Sequence, residues 1–199
     1  MWNLKRVIFK PNTDFKIMTI KTHFKFIYFL ICSVLLTLSY FLFTMTIDDD
    51  FENKLEQSSY EPGAPVSLKM YYLIEKYSEE YNIPKYVAYN IAYKETTYKG
   101  PFDWSYTPGL VSYAGAVGPM QIIPSTATYV NKRKINRETL RTDLDLNVMT
   151  SMKYLRHLKD QYKSWDVVCG YYNTGRPMVN DYARYCSSNK DYTSKWIRY

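Results

Sequence analysis

The chain has 199 residues, enough for one ordinary domain and an additional segment. With 46% hydrophobic and 23% charged residues, its composition excludes a protein that is disordered throughout. The net charge of +7 favours anionic partners, such as nucleic acid, a membrane surface or an acidic polymer. Because most of the basic residues are scattered singly, an ordinary solvated surface is the simpler explanation for them.

The N-terminal region contains an uncharged segment, residues 26–47, which is long enough to cross a bilayer as a helix. Residues 1–25 are basic, whereas the residues directly after the segment are acidic. The positive-inside rule therefore predicts a single-pass inner-membrane protein with a cytoplasmic N-terminus and an extracytoplasmic, periplasmic remainder. A cleaved signal peptide is the alternative, but the apolar segment is long for one and lacks a small-residue cleavage site. Cys32 lacks the small preceding residue that a lipoprotein needs.

Residues 48–66 are polar and acidic and contain Pro62, Gly63 and Pro65, a composition typical of a linker. The functional domain is accordingly predicted at residues 67–199.

Two helices are predicted at the start of this domain. Ser67 is expected to cap a helix over residues 68–81, and Pro84 to begin a second helix over residues 84–98. Glu95 lies on the apolar side of the second helix. A carboxylate there is either a satisfied core acid, paired with an Arg or with backbone donors, or a general acid whose pKa is raised by burial.

The rest of the domain is also predicted to be helical, apart from a long loop rich in Gly and Pro at residues 99–118. No run of alternating strand residues is present, so the expected fold class is mainly α. The further predicted helices begin at Pro124, extend over residues 143–162, and begin at Ser164 or Asp166 to end at Gly175.

Four separated sequence motifs resemble those of the soluble lytic transglycosylase family, the lysozyme-like enzymes that cut peptidoglycan. They are "YKETTY", "GAVGPMQIIPSTA", "NVMTSMKYLRHL" and "GYYNTG". In that family the order is Glu-Ser, Gly-Leu-Met-Gln-Ile-x-Pro-x-Thr-Ala, Asn-x-x-x-Gly-x-x-Tyr-Leu and Ala-Tyr-Asn-Ala-Gly. The resemblance covers about residues 68–180. It implies a lysozyme-like helical domain behind the N-terminal transmembrane helix.

The resemblance implies roles for individual residues. Glu95 matches the catalytic acid, and the substrate-binding residues implied are Thr96, Gly118, Met120, Gln121, Tyr172 and Asn173. We expect Gly118 to let backbone approach the glycan closely, Met120 to offer an apolar surface to a sugar face, and Gln121 to bond an acetamido group. Tyr172 is expected either to orient Glu95 or to be a packing tyrosine.

Mild departures from the family pattern affect the same motifs. Thr96 replaces Ser, Pro119 replaces Leu, and Ser151 replaces Gly, and Tyr171 and Thr174 stand at two Ala positions. None of these changes removes an acid or base, so they bear on specificity more than on activity.

The reaction implied is cleavage of the bond between N-acetylmuramic acid and N-acetylglucosamine, with Glu95 as the sole acid and base and a 1,6-anhydro product. Hydrolysis is the alternative, with a second acid such as Asp103 holding a water. Asp103 is more simply a turn residue, and Trp104 either stacks on a sugar or pins the loop. A non-catalytic wall-binding module is a further alternative, which the presence of Glu95 disfavours.

No cofactor or metal site is predicted, since His157 has no second histidine beside it in the domain. Cys169 and Cys186 are equally consistent with a disulfide and with free thiols. The partners expected are peptidoglycan glycan strands and the membrane, together with a possible envelope-spanning assembly. Nucleic acid is not expected, because no dense stripe of Lys and Arg is present.

Overall fold

A computed structural model of the chain describes residues 27–42, 53–54, 57–58, 61 and 63–191. The chain divides into two compact units, residues 1–55 and 56–199. In the first unit, residues 27–42 form helix α1. The rest of the predicted anchor and the basic segment before it lie outside the described residues. Among the helices that are described, none combines the length and the apolar character needed to span a bilayer.

The second unit is built from helices, as the sequence predicts. Over residues 63–191 the only pairing of extended backbone consists of isolated bridges from Val117 to Val111 and to Ile122. The helices are α2 (Val66–Glu80), α3 (Lys85–Thr96), α4 (Pro124–Asn131), α5 (Arg137–Thr142), α6 (Leu144–Tyr162), α7 (Trp165–Thr174) and α8 (Asp181–Ser188).

The predicted starts of the first two domain helices are close, but the predicted cap is wrong. Pro65, not Ser67, is the N-cap of α2. Ser67 is buried within the first turn, and its hydroxyl donates to the Pro101 carbonyl at 2.9 Å. Pro84 is likewise the N-cap of α3 and not its first residue. The Ser67 hydroxyl thus holds the loop after α3 to α2 and does not cap the helix.

Two helices, α5 and α8, were not predicted from the sequence. Each is short, and each begins with an asparagine whose side chain accepts from a backbone amide in the first turn, at 2.7 Å for Asn136 and 2.8 Å for Asn180. This capping compensates the unpaired amides at a helix start. The predicted helix at residues 143–162 is confirmed as α6, and Asp143 caps it through the Leu146 amide.

The main hydrophobic core lies where α2, α3, α6, α7 and α8 meet. On α3, residues 87, 88, 91 and 92 are fully buried, as the apolar pattern predicts. Helix α7 is packed tightly at Gly170, where an added Cβ would overlap the Met178 carbonyl of the α7–α8 connection and lie 3.5 Å from Ala183 Cβ of α8. This close approach brings α8 against the C-terminal half of α3, where Glu95 lies.

A second, smaller core supports the loop after α3. It is formed by Val117, Ile122, Ala127, Ile135, Leu140 and Leu146, and Met149 and Tyr154 of α6 pack against both cores. The loop residues 115–123 are therefore fixed to α4, α5 and α6 rather than free to move independently.

Candidate active site

Glu95 lies in the last turn of α3, partly buried, and its carboxylate has a defined partner. The Tyr182 hydroxyl, in the first turn of α8, donates a hydrogen bond of 2.5 Å to Glu95 Oε1. The alternative of a core acid paired with an arginine does not apply, because the partner is a neutral phenol. A phenol orients the carboxylate without supplying a positive charge.

Burial raises the pKa of Glu95, although the Tyr182 hydrogen bond and the positive charge of Lys94 partly lower it. The net direction is upward, which keeps a larger fraction of the side chain protonated than in water. Within the described residues, no second carboxylate contributes to this shift. Glu95 is therefore a single acid in an environment suited to donating a proton.

The loop that contains Val117 and Met120 is held in place by the buried side chain of Asn147, from α6. Its Nδ2 donates to the Val117 carbonyl and to the Leu140 carbonyl, both at 2.9 Å. Its Oδ1 accepts from the Met120 amide at 3.2 Å. The resemblance identified Asn147 by motif, and the structure gives it the function of a clamp on the loop.

Gly118 has a structural role that differs from the predicted one. Its φ of 78° lies in the left-handed region, and a Cβ at this position would overlap the Asn147 amide. Glycine is needed here because a side chain of the same protein comes close to the backbone. The space beside Gly118 that a glycan was expected to approach is filled by the Asn147 side chain.

Met120 is fully buried in the main core, so its side chain is not available to a sugar face. The expectation that it offers an apolar surface to the substrate is not met, because the side chain packs inside the core. Its carbonyl accepts a 2.7 Å hydrogen bond from the Tyr172 hydroxyl.

Gln121 is partly buried and has a left-handed backbone, with φ of 50°. Its Nε2 donates to the carbonyls of Leu110 and Gly118, at 3.0 and 2.9 Å. The amide nitrogen is therefore used to close the loop on itself. A strained conformation of this kind in a non-glycine residue is typical of sites whose shape matters for function.

Thr96 connects α3 to the same loop. Its buried hydroxyl lies 2.8 Å from the Pro119 carbonyl and 3.1 Å from the Ala92 carbonyl, and 2.9 Å from the Tyr106 hydroxyl. Thr96, the residue after Glu95, thus bonds the end of α3 to Pro119 of the loop.

Tyr172 does not hydrogen-bond to Glu95. Its hydroxyl is bonded to the Met120 carbonyl, and its ring packs against Tyr154, with centroids 5.8 Å apart. Burial raises the pKa of Tyr172, and the nearby charge of Glu95 raises it further. Tyr172 therefore lies near Glu95 without a hydrogen bond to it, and the tyrosine that is bonded to Glu95 is Tyr182.

Three further residues singled out by the sequence are fully or partly exposed. Asn173 is exposed, and its Oδ1 accepts from Asn180 Nδ2 at 3.1 Å. Asp103 lies in a turn, where its carboxylate accepts from the Ser105 hydroxyl at 2.7 Å. Trp104 is 71% exposed. Asp103 thus has the contacts expected of a turn residue.

The two cysteines of the domain are neighbours on α7 and α8. Cys169 and Cys186 are buried free thiols with a hydrogen bond between their side chains, which is the main reason why the pKa of Cys186 is raised. Their contact belongs to the packing that holds α8, and with it Tyr182, beside Glu95.

Tyr182 is the functional residue that the sequence did not reveal. It stands in none of the four motifs, and α8 itself was not predicted. The available signal was local: Asn180 as a cap, followed by Ala183 and Cys186 at helical spacing. That signal predicts a short helix but does not indicate what its tyrosines contact.

Comparisons with known proteins place the chain in a family. The model of the transglycosylase SLT domain family matches residues 72–195. Among solved structures, the chain is similar to the 70 kDa soluble lytic transglycosylase SLT70 of Escherichia coli, with 27% identity and a TM-score of 0.44 over 52% of this chain and 16% of that one. No curated protein sequence matches. The family match spans all four motifs and confirms the resemblance, so the chain belongs to this family; the chain covers only 16% of the length of SLT70.

Proposed function

Because the chain belongs to the transglycosylase SLT domain family, we propose that it cleaves the β-1,4 bond between N-acetylmuramic acid and N-acetylglucosamine of peptidoglycan, with Glu95 as general acid and base. The observation that carries the proposal is the environment of Glu95. It is partly buried, its pKa is raised, and a neutral tyrosine holds it. These are the properties of a carboxyl group that donates a proton near neutral pH.

In the first step Glu95 gives its proton to the oxygen that bridges the two sugars, and the bond from that oxygen to the muramyl C1 breaks. The substrate's own acetamido group supports the positive charge that develops at C1. The Glu95 carboxylate then removes the proton from the muramyl C6 hydroxyl, whose oxygen bonds to C1. The product is a 1,6-anhydro ring, no water is consumed, and Glu95 ends protonated as it began.

Tyr182 serves both steps. Its hydroxyl donates to Oε1 and stabilises the carboxylate that forms when the proton leaves. Because Oε1 is held in this way, Oε2 is the oxygen left to face the substrate. The phenol stays protonated throughout, since burial and the neighbouring Glu95 charge raise the Tyr182 pKa far above its usual range.

A hydrolytic muramidase of the same fold is the alternative. A hydrolase that activates water usually needs a second carboxylate, about 5–10 Å from the first. Asp103, the candidate for that function, is bonded to Ser105 in a turn and is absent from the groups that shift the pKa of Glu95. This arrangement supports the one-carboxylate reaction.

The substrate is proposed to lie across the loop of residues 118–121. Gln121 binds it through the side-chain oxygen, since Nε2 is used within the loop. Asn173 is exposed beside Tyr172 and supplies a further amide. Thr96, Gly118 and Met120 then contribute by fixing the shape of this loop.

The uncharged segment 26–47 is proposed to anchor the domain in the inner membrane, with the domain in the periplasm. The proposal is supported by the apolar composition of the segment and by the basic residues before it and the acidic residues after it. A catalytic domain tethered in this way acts on the wall close to the membrane, where an envelope-spanning assembly would need an opening.

Product analysis tests the reaction. The full-length chain is incubated with purified sacculi, and the soluble muropeptides are analysed by mass spectrometry beside a Glu95→Gln control. We expect anhydro-muramyl products from the wild type alone. Reducing-end products heavier by one water would identify a hydrolase, and binding to sacculi without products would identify a wall-binding module.

A further inference from the structure

Asn90 is a polar side chain inside the core that the proposed reaction does not use. It lies in the second turn of α3, is fully buried, and stands five residues before Glu95. A buried amide is costly unless its polar atoms are hydrogen-bonded. The partners of Asn90 therefore indicate which part of the fold this residue serves.

The partners of Asn90 lie at the C-terminal end of α8. Its Nδ2 donates to the backbone carbonyls of Cys186 and Asn189, at 3.2 and 2.8 Å. Its Oδ1 accepts from Asn189 Nδ2 at 3.3 Å, which fixes the direction in which the amide points. The nitrogen and the oxygen of the Asn90 amide are thus both used at one helix end.

Helix α8 depends on such a partner. The last carbonyls of a helix have no amide of the same helix to bond. Because α8 has only eight residues and no basic residue in its last turn, it is marginal by itself. Its N-terminus is capped from its own chain segment by Asn180, whereas the Cys186 carbonyl in its last turn is bonded by Asn90 of α3. Asn90 therefore caps the C-terminus of α8 from another helix.

The Asn90 bonds and the Tyr182 bond lie at opposite ends of the stretch that α3 and α8 share. The end of α3 meets the start of α8 at Glu95 and Tyr182, and the middle of α3 meets the end of α8 at Asn90 and Cys186. The two helices are therefore antiparallel. The spacing matches, since five residues on α3 and four on α8 correspond to about 7.5 and about 6 Å of helix.

The contacts between these two ends are less directional. Tyr93 stacks on Tyr185 with ring centroids 6.0 Å apart, and Lys94 Nζ lies 5.0 Å from the centre of the Tyr185 ring. Aromatic pairs are favourable over centroid distances of about 4.5–7 Å, so they tolerate sliding. A slip by one residue, about 1.5 Å, would break the 2.5 Å hydrogen bond between Tyr182 and Glu95. Directional bonds at the ends are needed to prevent it.

We propose that Asn90 is a positioning residue for Glu95: by capping α8 it fixes the register of α8 on α3, and it thereby holds the Tyr182 hydroxyl at the Glu95 carboxylate. The inference rests on the proposed function for the role of Glu95 as the acid, but the link between the three residues does not depend on the reaction. Asparagine suits this position because it donates to carbonyls, whereas aspartate would offer them only acceptors and leucine nothing.

A double-mutant cycle measures whether Tyr182 still acts on Glu95 when Asn90 is removed. Wild type, Tyr182→Phe, Asn90→Ala and the double variant are prepared as full-length chains in detergent micelles, with ¹³C at the glutamate carboxyl. The Glu95 pKa is measured from its carboxyl resonance, which a Glu95→Gln spectrum assigns. Because the Tyr182 hydrogen bond lowers this pKa, Tyr182→Phe should raise it. In the Asn90→Ala background the rise should shrink by about half or more, since members of one network are not additive.

The cycle isolates the Tyr182 hydrogen bond from the other groups around Glu95. Lys94, Tyr172 and Cys186 are the further titratable groups whose charges interact with Glu95. All three are present in all four proteins. A general loosening of the core would change the Glu95 pKa in both rows of the cycle, but it would leave the effect of Tyr182→Phe unchanged.

A matched control uses another asparagine. Asn131 donates to the Ala127 carbonyl of α4 and to the Thr150 hydroxyl of α6. In an Asn131→Ala background, Tyr182→Phe should raise the Glu95 pKa as much as it does in the wild type.

Asn189→Ala provides a milder background in which the fold is retained. It removes only the part-buried bond to Asn90 Oδ1, and the carbonyl of residue 189 stays in place. The effect of Tyr182→Phe should shrink here in the same direction as with Asn90→Ala, but by less. If Asn90→Ala does not fold, this background decides alone.

Activity on sacculi separates the inference from the proposed function. Tyr182→Phe should lower kcat/KM about 10-fold in the wild type but only about 3-fold or less in the Asn90→Ala background. An equal effect of Tyr182→Phe on the Glu95 pKa in the wild-type, Asn90→Ala and Asn189→Ala backgrounds would overturn the inference, whether or not the protein cuts sacculi. A reduced effect on the pKa in a protein that releases no muropeptides would support the inference and overturn the proposed reaction.

Discussion

The Tyr182 hydroxyl and Glu95 Oε1 are joined by a hydrogen bond of 2.5 Å between residues that are 87 positions apart in the sequence. The bond connects the end of α3 to the start of α8, so the acid is oriented by a helix that follows all four motifs. The packing of α8 on α7 at Gly170 and at the two cysteines fixes where the tyrosine lies.

Tyr182→Phe removes the hydroxyl and keeps the ring. We expect kcat/KM on glycan substrates to fall about 10-fold, because a hydrogen bond to a charged group is worth about 1.5–3 kcal/mol and only part of it is lost when water replaces it. This hydrogen bond lowers the pKa of Glu95, so its loss raises that pKa. The alkaline limb of the pH–rate profile, where the acid loses its proton, should therefore move to higher pH.

Tyr185→Phe is the matched control, since Tyr185 lies on the same helix but contacts Tyr93 and Lys94. It should leave the pH–rate profile in place. A Tyr182→Phe profile that coincides with the wild type would show that Tyr182 packs beside Glu95 without acting on its proton.

Glu95→Gln should stabilise the fold at neutral pH. Because burial raises the pKa of Glu95 in the folded state, the folded protein holds this proton more tightly than the unfolded chain does. The contribution of Glu95 to stability is then most favourable below its ordinary pKa of 4.5 and decreases as the pH rises through the folded-state pKa. The uncharged amide avoids this loss and can still accept the Tyr182 hydrogen bond.

Thermal unfolding of wild type and Glu95→Gln at about pH 4 and about pH 7 measures the effect. The Tm of the variant should exceed that of the wild type by more at the higher pH. A difference that stays constant or shrinks with rising pH would contradict a raised pKa of Glu95.

Asn147→Ala should destabilise the domain strongly. It leaves the carbonyls of Val117 and Leu140 and the amide of Met120 without their partner in a buried site. We expect a loss of about 2–4 kcal/mol in the free energy of unfolding, measured with denaturant. Asn131→Ala is the comparison: its two hydrogen bonds are only part-buried, and its cost should be about 1 kcal/mol.

A comparison of Gly118→Ala with Gly115→Ala distinguishes the energetic cost of a left-handed backbone from the cost of a clash with Asn147. Both glycines have positive φ, 78° and 82°, so both substitutions carry the cost of about 1–2 kcal/mol for a left-handed residue. An added Cβ meets Asn147 at Gly118 but nothing within 4 Å at Gly115. Denaturant unfolding should show the larger loss for Gly118→Ala, and equal losses would rule out the Asn147 contact as the reason for glycine there.

The sequence predicts those parts of the fold that depend on local signals. Apolar spacing indicates α3 and α6, and Gly175 marks the end of α7, as observed. Glu95 stands out because a carboxylate on an apolar stripe is unusual. By contrast, α8 has only eight residues, and its stability comes from packing on α7 and α3.

The roles of Met120, Tyr172 and Tyr182 depend on contacts between distant parts of the chain. A motif shows that Met120 and Tyr172 belong to the site, but not that the Met120 side chain points into the core while its carbonyl binds Tyr172. The chain has 22 tyrosines, so composition cannot single out the one that reaches Glu95. Only the packing of α8 identifies it.

The most direct test of the account is the rate at which soluble muropeptides are released from sacculi by the wild type, Glu95→Gln and Asp103→Asn. If Glu95 is the single acid and base, Glu95→Gln should lose at least about 100-fold, the lower end of the contribution of general acid–base catalysis, and Asp103→Asn should stay within about 3-fold of the wild type. Release by Glu95→Gln at the wild-type rate would contradict the account, as would a loss in Asp103→Asn as large as that in Glu95→Gln.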